Sequence, residues 1–206
     1  MNVCSVAVFG GERYYVTERF DREVVDGKVR RLHQEDFCQM MSVDPESKYE
    51  SDGGPKFADL VRTLRRLHVT LGETLALIDM LVYNFLIGNA DAHAKNYSVV
   101  YRGRRPVLAP LYDAVSTVVY KDLSREFAMS IGGEMREERV GRDHFVRLSE
   151  DCGMSPKLVL SRLDALASAM RPAVRKVAGD LSAECPSEVY GEIEKVVDRH
   201  LEQVLA

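Results

Sequence analysis

The sequence predicts a mainly α-helical domain carrying two small β-hairpins. Three observations point there. An almost wholly apolar run from Leu75 to Ile87 has the length of a buried helix. Near the C-terminus, Leu158, Leu163, Leu166, Met170, Val174 and Val177, then Val189, Ile193, Val196, Val197, Leu201 and Val204, recur at helical spacing. Finally, strand-like segments flank tight turns at two places, Val3 to Phe9 with Arg13 to Glu18 around Gly10-Gly11, and Tyr97 to Tyr101 with Pro106 to Ala109 around GRR.

The remaining elements follow in order. After the first hairpin come ERFDR and a charged loop through Arg31. Gln34 to Met41 reads as a short helix, and DPESKYESDGGP as a polar loop. Pro55 stands where a helix can begin, with Ser51 or Asp52 as its expected N-cap and Phe57, Leu60, Val61, Leu64 and Leu67 as its apolar stripe. A break at Leu71-Gly72 precedes the buried helix, expected from about Thr74 to Ile87. From Val140 onward the chain reads as largely helical. There is no internal repeat and no low-complexity tract.

At 206 residues the chain suits one compact domain or one lobe of a larger unit, and 46% hydrophobic residues are ample for a core. The net charge of −4, with no long basic run, argues against direct nucleic-acid binding. Cys4, Cys38, Cys152 and Cys185 are scattered without a CxxC pair, which excludes a zinc knuckle and suits reduced thiols in a cytoplasmic protein. The start lacks a basic segment before its short apolar stretch, so no signal peptide is expected. The longest apolar run is too short for a membrane span and contains Asp79 and Asn84.

Directly after that run stands GNADAHAKNYSVV. Asp91 and Asn96 lie five residues apart, and a hairpin then leads to Asp113 in Leu111-Tyr112-Asp113. Protein kinases need a carboxylate that orients and deprotonates the acceptor hydroxyl. They also need an Asn five residues on to hold magnesium, and a second Asp, after a short hairpin, to chelate it against the nucleotide phosphates. The order here reproduces that pattern, although neither HRD nor DFG occurs. The plainer alternative has Asp91 and Asn96 capping turns and Asp113 capping a helix that begins at Ala114. His93 reads as a buried imidazole bracing the loop, with no second ligand at metal spacing. Lys95 is either a phosphate contact or a solvated lysine.

ERFDR, RLHQEDFCQ, KYESDGGP, GNADAHAKNYSVV, LAPLYDAVST and FAMSIGG occur in the order seen in HipA-like kinases, the toxins of bacterial type II toxin–antitoxin modules. The resemblance runs from Glu18 to Gly133, and the helical C-terminal third agrees in character. It implies a protein-kinase-like C-lobe of the HipA type that transfers the ATP γ-phosphate to a protein serine or threonine. In that reading Asp91 is the catalytic base, Asn96 and Asp113 hold Mg2+, Lys95 faces phosphate and His93 orders the loop. ERFDR resembles the hinge, with the backbone of Glu18 and Phe20 on the adenine edge and Asp21 on the ribose. The implied partner is a HipB-like DNA-binding antitoxin, and the family's known protein substrates are aminoacyl-tRNA synthetases.

One departure stands beside this match. The hinge falls at Glu18, so a single hairpin precedes it, and residues 1–22 read as a residual N-lobe and hinge ahead of a C-lobe over 23–206. No G-x-G-x-x-G occurs, and Lys28, the first lysine, comes after the hinge. Three arrangements accommodate this: an N-lobe supplied by a separate chain, a catalytically inactive relic or regulatory module that binds the antitoxin, or a chain active alone with an altered phosphate clamp.

Overall fold

A computed structural model describes residues 4–205. Two hairpins come first, β1 (Cys4–Phe9) with β2 (Glu12–Thr17) and β3 (Arg22–Val25) with β4 (Lys28–Arg31), each a separate two-stranded sheet. The first is the predicted one, with Phe9 opposite Glu12 across the Gly10-Gly11 turn. Val3, its expected first residue, lies outside the described residues. The second replaces the expected charged loop. Asp26 and Gly27, both at positive φ, form the tight turn that an Asp-Gly pair favours.

The predicted helix over 34–41 is half strand. Its first part belongs to β5 (His33–Asp36), and α1 (Phe37–Met40) starts only where Asp36 caps it, accepting from Gln39 N at 2.8 Å while Asp36 N donates to Gln39 Oε1 at 2.9 Å. In α2 (Phe57–Arg66) the predicted stripe residues Phe57, Leu60, Val61 and Leu64 are buried, and Leu67, just past the helix end, is partly buried. Its N-cap is Lys56, because Ser51 and Asp52 lie in a separate 3₁₀ turn. α3 (Leu71–Ile87) begins earlier than expected. Thr70 and Glu73 bond reciprocally, so Leu71-Gly72 become its first turn and not a break.

α3 ends at Gly88, whose φ is 69°. A Cβ there would lie 2.4 Å from Val118 Cγ2 and 2.8 Å from Val196 Cγ1, so only glycine fits. β6 (Ser98–Arg102) and β7 (Arg105–Leu108) form the predicted second hairpin, which β5 extends to a three-stranded antiparallel sheet in the order β5-β6-β7. A further pair, β8 (Glu126–Ile131) with β9 (Glu134–Arg136), was not expected. Three helices complete the chain: α4 (Arg142–Asp151), α5 (Pro156–Glu184) and α6 (Val189–Leu205). The fold is thus helical with small antiparallel sheets, richer in strands than the two hairpins expected.

α3 runs through the core, packed against α2, α5 and α6. Its Phe85 is ringed by Phe127, Phe145 and His200, with centroids 6.0, 5.4 and 4.7 Å away. Buried apolar side chains thereby fix the helix end from which residues 88–97 depart. Among the described residues no helix is long and apolar enough to cross a membrane.

Candidate active site

The loop after α3 is pinned by its backbone. Gly88 O accepts from Val118 N at 3.2 Å and from the Thr117 hydroxyl at 3.3 Å, while Ala90 N donates to Thr117 Oγ1 at 2.8 Å and Ala90 O accepts from Ala128 N at 2.8 Å. Two buried asparagines brace it. Asn84 donates to Tyr97 Oη at 3.0 Å, and Asn89 Nδ2 donates to Asn84 Oδ1 and to Asp113 O, each at 3.1 Å. Both were missed as site residues in the sequence. The available signal was Asn84, a polar residue in an apolar run.

This bracing brings the predicted residues together. Asn96 Nδ2 donates to Asp113 Oδ2 at 2.7 Å, across 17 positions of sequence. Asp113 does not cap a helix: no helix begins at Ala114, and its own backbone sits at φ 54°, a left-handed conformation that costs a non-glycine residue free energy. Such strain is characteristic of functional sites. Asp91 is half exposed at the mouth of the loop, with its Oδ1 4.0 Å from His93 Nε2. Burial pushes the His93 imidazole below the usual histidine pKa against the pull of Asp91. Lys95 is half-buried, and its carbonyl accepts from the Tyr112 hydroxyl at 2.7 Å. Burial pushes the Tyr112 phenol up to about 12.

The ERFDR segment reaches the same place. The Phe20 ring stacks on Tyr112 with centroids 5.7 Å apart, next in sequence to Asp113. Glu18 is exposed. The Asp21 carboxylate is buried but engaged by Arg19 at 2.8 and 2.6 Å and by Arg22 at 2.5 Å, and its carbonyl accepts from Leu32 N at 2.9 Å. A groove of about 460 Å³ is lined by Asp91 together with Tyr49, Thr117, Leu123, Phe127 and Met135. Lys48 also approaches: burial works against its ammonium, but Tyr49, Asp91 and Asp113 outweigh this and hold its pKa above the ordinary value.

An Asn and an Asp in contact fit a hard divalent cation, which takes one or two carboxylates and fills its shell with water and phosphate oxygens. Among the described residues no group of three or more His, Cys, Asp or Glu gathers for a metal, so an ion here would draw on such outside ligands.

The fold has a counterpart among solved structures. HipA of Shewanella oneidensis, solved with HipB and operator DNA, matches with a TM-score of 0.85 at 25% identity, covering 99% of this chain and 51% of that one. The model of the HipA-like C-terminal domain matches residues 1–174, and the chain belongs to that family. Y4mE of Sinorhizobium fredii is 42% identical over 174 residues, which is 84% of this chain and 41% of that protein. The serine/threonine-protein kinase toxin HipA of Shewanella oneidensis is 28% identical over 192 residues, 86% of this chain and 44% of that one. The chain therefore spans about half the length of the relatives it matches.

Proposed function

We propose that this chain is the C-terminal lobe of a HipA-like serine/threonine protein kinase, with residues 1–22 as the residual N-lobe hairpin and hinge and 23–206 as the lobe itself. The observation that carries this reading is the Asn96–Asp113 contact at 2.7 Å beside an exposed Asp91. Asp91 orients a protein hydroxyl and takes its proton. Asn96 and Asp113 hold Mg2+, which when bound neutralises charge on the transferring phosphoryl group. Lys95 faces the phosphates, and His93 keeps the loop in order. Phe20 and Glu18 offer backbone groups to the adenine edge, and Asp21 meets the ribose.

The exposed hairpins at the start of the chain support a need for a further N-terminal segment, supplied in the same protein or by another chain, which brings the phosphate-pairing lysine. A HipB-like DNA-binding antitoxin is the proposed partner, by analogy with the complex of the Shewanella protein. A cytoplasmic aminoacyl-tRNA synthetase is the substrate class that family resemblance suggests.

The test is transfer of labelled phosphate from ATP to a protein acceptor, with and without such a segment. The chain alone gives no measurable transfer, and the segment restores it. Asp91→Asn then lowers the restored rate about 10³-fold, and Asp113→Asn abolishes magnesium-dependent nucleotide binding measured by calorimetry. Transfer by the lone chain would sink the split arrangement. Transfer surviving Asp91→Asn would remove the base. Failure of every combination would favour a non-catalytic module that binds the antitoxin.

A further inference from the structure

The KYESDGGP loop lies against Asp91. The Tyr49 hydroxyl donates to Asp91 Oδ1 at 2.8 Å, bridging 42 positions of sequence. Its ring meets the His93 imidazole edge-on, with centroids 5.5 Å apart, and the Lys48 ammonium stands 4.8 Å from the ring centroid. The backbone on which Tyr49 rides is fastened at both ends. The next residue, Glu50, accepts from Ser130 N at 2.7 Å and from Ser130 Oγ at 2.9 Å, with Lys56 Nζ 3.6 Å away. Gly54 N donates to Tyr49 O at 2.8 Å, and a Cβ on Gly54 would sit only 2.6 Å from that oxygen and 2.3 Å from Ser47 O. Two segments distant in sequence, 48–55 and 127–133, thus cooperate to deliver one phenol to one carboxylate.

A half-exposed aspartate would otherwise sample several rotamers. A phenol donating to an ionised carboxylate forms a charge-assisted bond that selects one of them. Among the described residues Asp91 Oδ2 takes no hydrogen bond from protein, and Asp91 itself lines the groove described above.

We propose that Tyr49 is a positioning residue: by occupying Oδ1 of Asp91 it turns Oδ2 towards the acceptor hydroxyl in that groove. The proposal rests on Asp91 being the base. Alignment of this kind acts on the chemical step and not on nucleotide binding.

The experiment uses the transfer-competent protein, chain plus N-terminal segment. Tyr49→Phe keeps the ring against His93 and Lys48 and removes only the hydroxyl. It lowers kcat about 10-fold, the size of one hydrogen bond to a charged group, while KM for ATP and the melting midpoint stay at wild-type values. Rates are expressed per molecule that binds ATP with magnesium, so partial unfolding does not count. An unchanged kcat in Tyr49→Phe, with Asp91→Asn inactive, overturns the role of Tyr49 and leaves the kinase reading standing. Full activity of Asp91→Asn, or no transfer by any variant, removes the base and this role together. A second measurement needs no transfer: the Tyr49 hydroxyl proton is protected from exchange by NMR in the chain and loses protection in Asp91→Ala. A rapidly exchanging proton in the unaltered chain overturns the contact directly.

Discussion

Phe85 and Phe9 mark two regions built on different terms. Phe85 is 1% exposed, enclosed by rings from α4, α6 and β8, while Phe9 is 66% exposed beside Tyr14 in a hairpin that forms its own two-stranded sheet and is tied to the end of α5 where an Arg13 guanidinium nitrogen lies 2.8 Å from Cys185 Sγ. The difference is regional. In β1–β4, Val8, Tyr15, Val24 and Val29 also face solvent, whereas Phe37, Phe57 and Tyr97 around the loop are buried. Strand propensity alone makes a hairpin, but a two-stranded ribbon is marginal without further strands or a helix against it, and its edges stay open to pairing. The loop region carries its own core. The hairpins carry half of one.

The direct way to break this comparison is to truncate both phenylalanines. Phe85→Ala should cost about 3–5 kcal/mol by chemical denaturation, since it leaves a cavity in a packed interior. Phe9→Ala should stay within about 0.5 kcal/mol in the chain alone, yet weaken association with an added N-terminal segment. The same contrast should appear in hydrogen exchange, with β1–β4 amides exchanging fast and those of α3 and β6 slowly. Equal costs, or slow exchange in β1 and β2 of the monomeric chain, would mean that the hairpin is complete as it stands.

How much of this was legible follows the same divide. The long helices were readable because the apolar period determines them, whereas the spacing from Gly88 to Asp113 left a capping alternative open and the roles of its residues came from the family resemblance. β3–β4 was missed because charges in REVVDGKVRR hid the Asp26-Gly27 turn. The start of the predicted helix over 34–41 went to a strand because pairing with β6 outweighs local preference. Tyr49, Glu50 and Thr117 were not legible as site residues. Their partners, Asp91, Ser130 and Gly88, lie 42, 80 and 29 positions away, a separation to which no local pattern points. The KYESDGGP and FAMSIGG motifs were visible as letters, but only the fold brings them together.

A second contrast comes from two carboxylates with the same displaced pKa. The Glu137 side chain has no exposed surface and pairs with His200, Arg125 and Arg199, the last at 3.0 Å from each carboxylate oxygen. Burial pushes its pKa up, but these partners outweigh that and hold it at about 2. With the folded pKa below the unfolded one, the stabilisation is complete above the ordinary glutamate range and is lost as pH falls towards 2. The melting midpoint should therefore drop between about pH 5 and 2. Glu137→Gln should flatten that slope and cost about 3 kcal/mol at neutral pH, because the fully buried His200 loses its carboxylate partner and Arg125 and Arg199 lose theirs with it. A slope unchanged in the variant would show that other carboxylates control acid unfolding.

Asp21 supplies a smaller effect than Glu137 and a finer test. Arg19 lowers its pKa most; burial opposes, Arg22 assists, and the value again falls at about 2. The sign is the same as for Glu137, with stabilisation present above the ordinary aspartate range and lost as pH falls. The environment is not the same. The Arg19 and Arg22 side chains are 62% and 31% exposed, much as Arg125 and Arg199 are at 53% and 38%, but Asp21 has no counterpart of the fully buried His200, so water screens its pairs and solvates both partners when they are left alone. Asp21→Asn should therefore change stability by no more than about 1 kcal/mol. Its larger consequence belongs to the nucleotide: a carboxylate that accepts from ribose hydroxyls contributes about 10-fold in ATP affinity, lost in the variant. Calorimetry with ATP and magnesium reads the second effect, and denaturation the first. Unchanged ATP affinity would take Asp21 out of the hinge's proposed role. A stability loss as large as that of Glu137→Gln would erase the distinction between a carboxylate held only by solvated arginines and one that also holds a buried histidine.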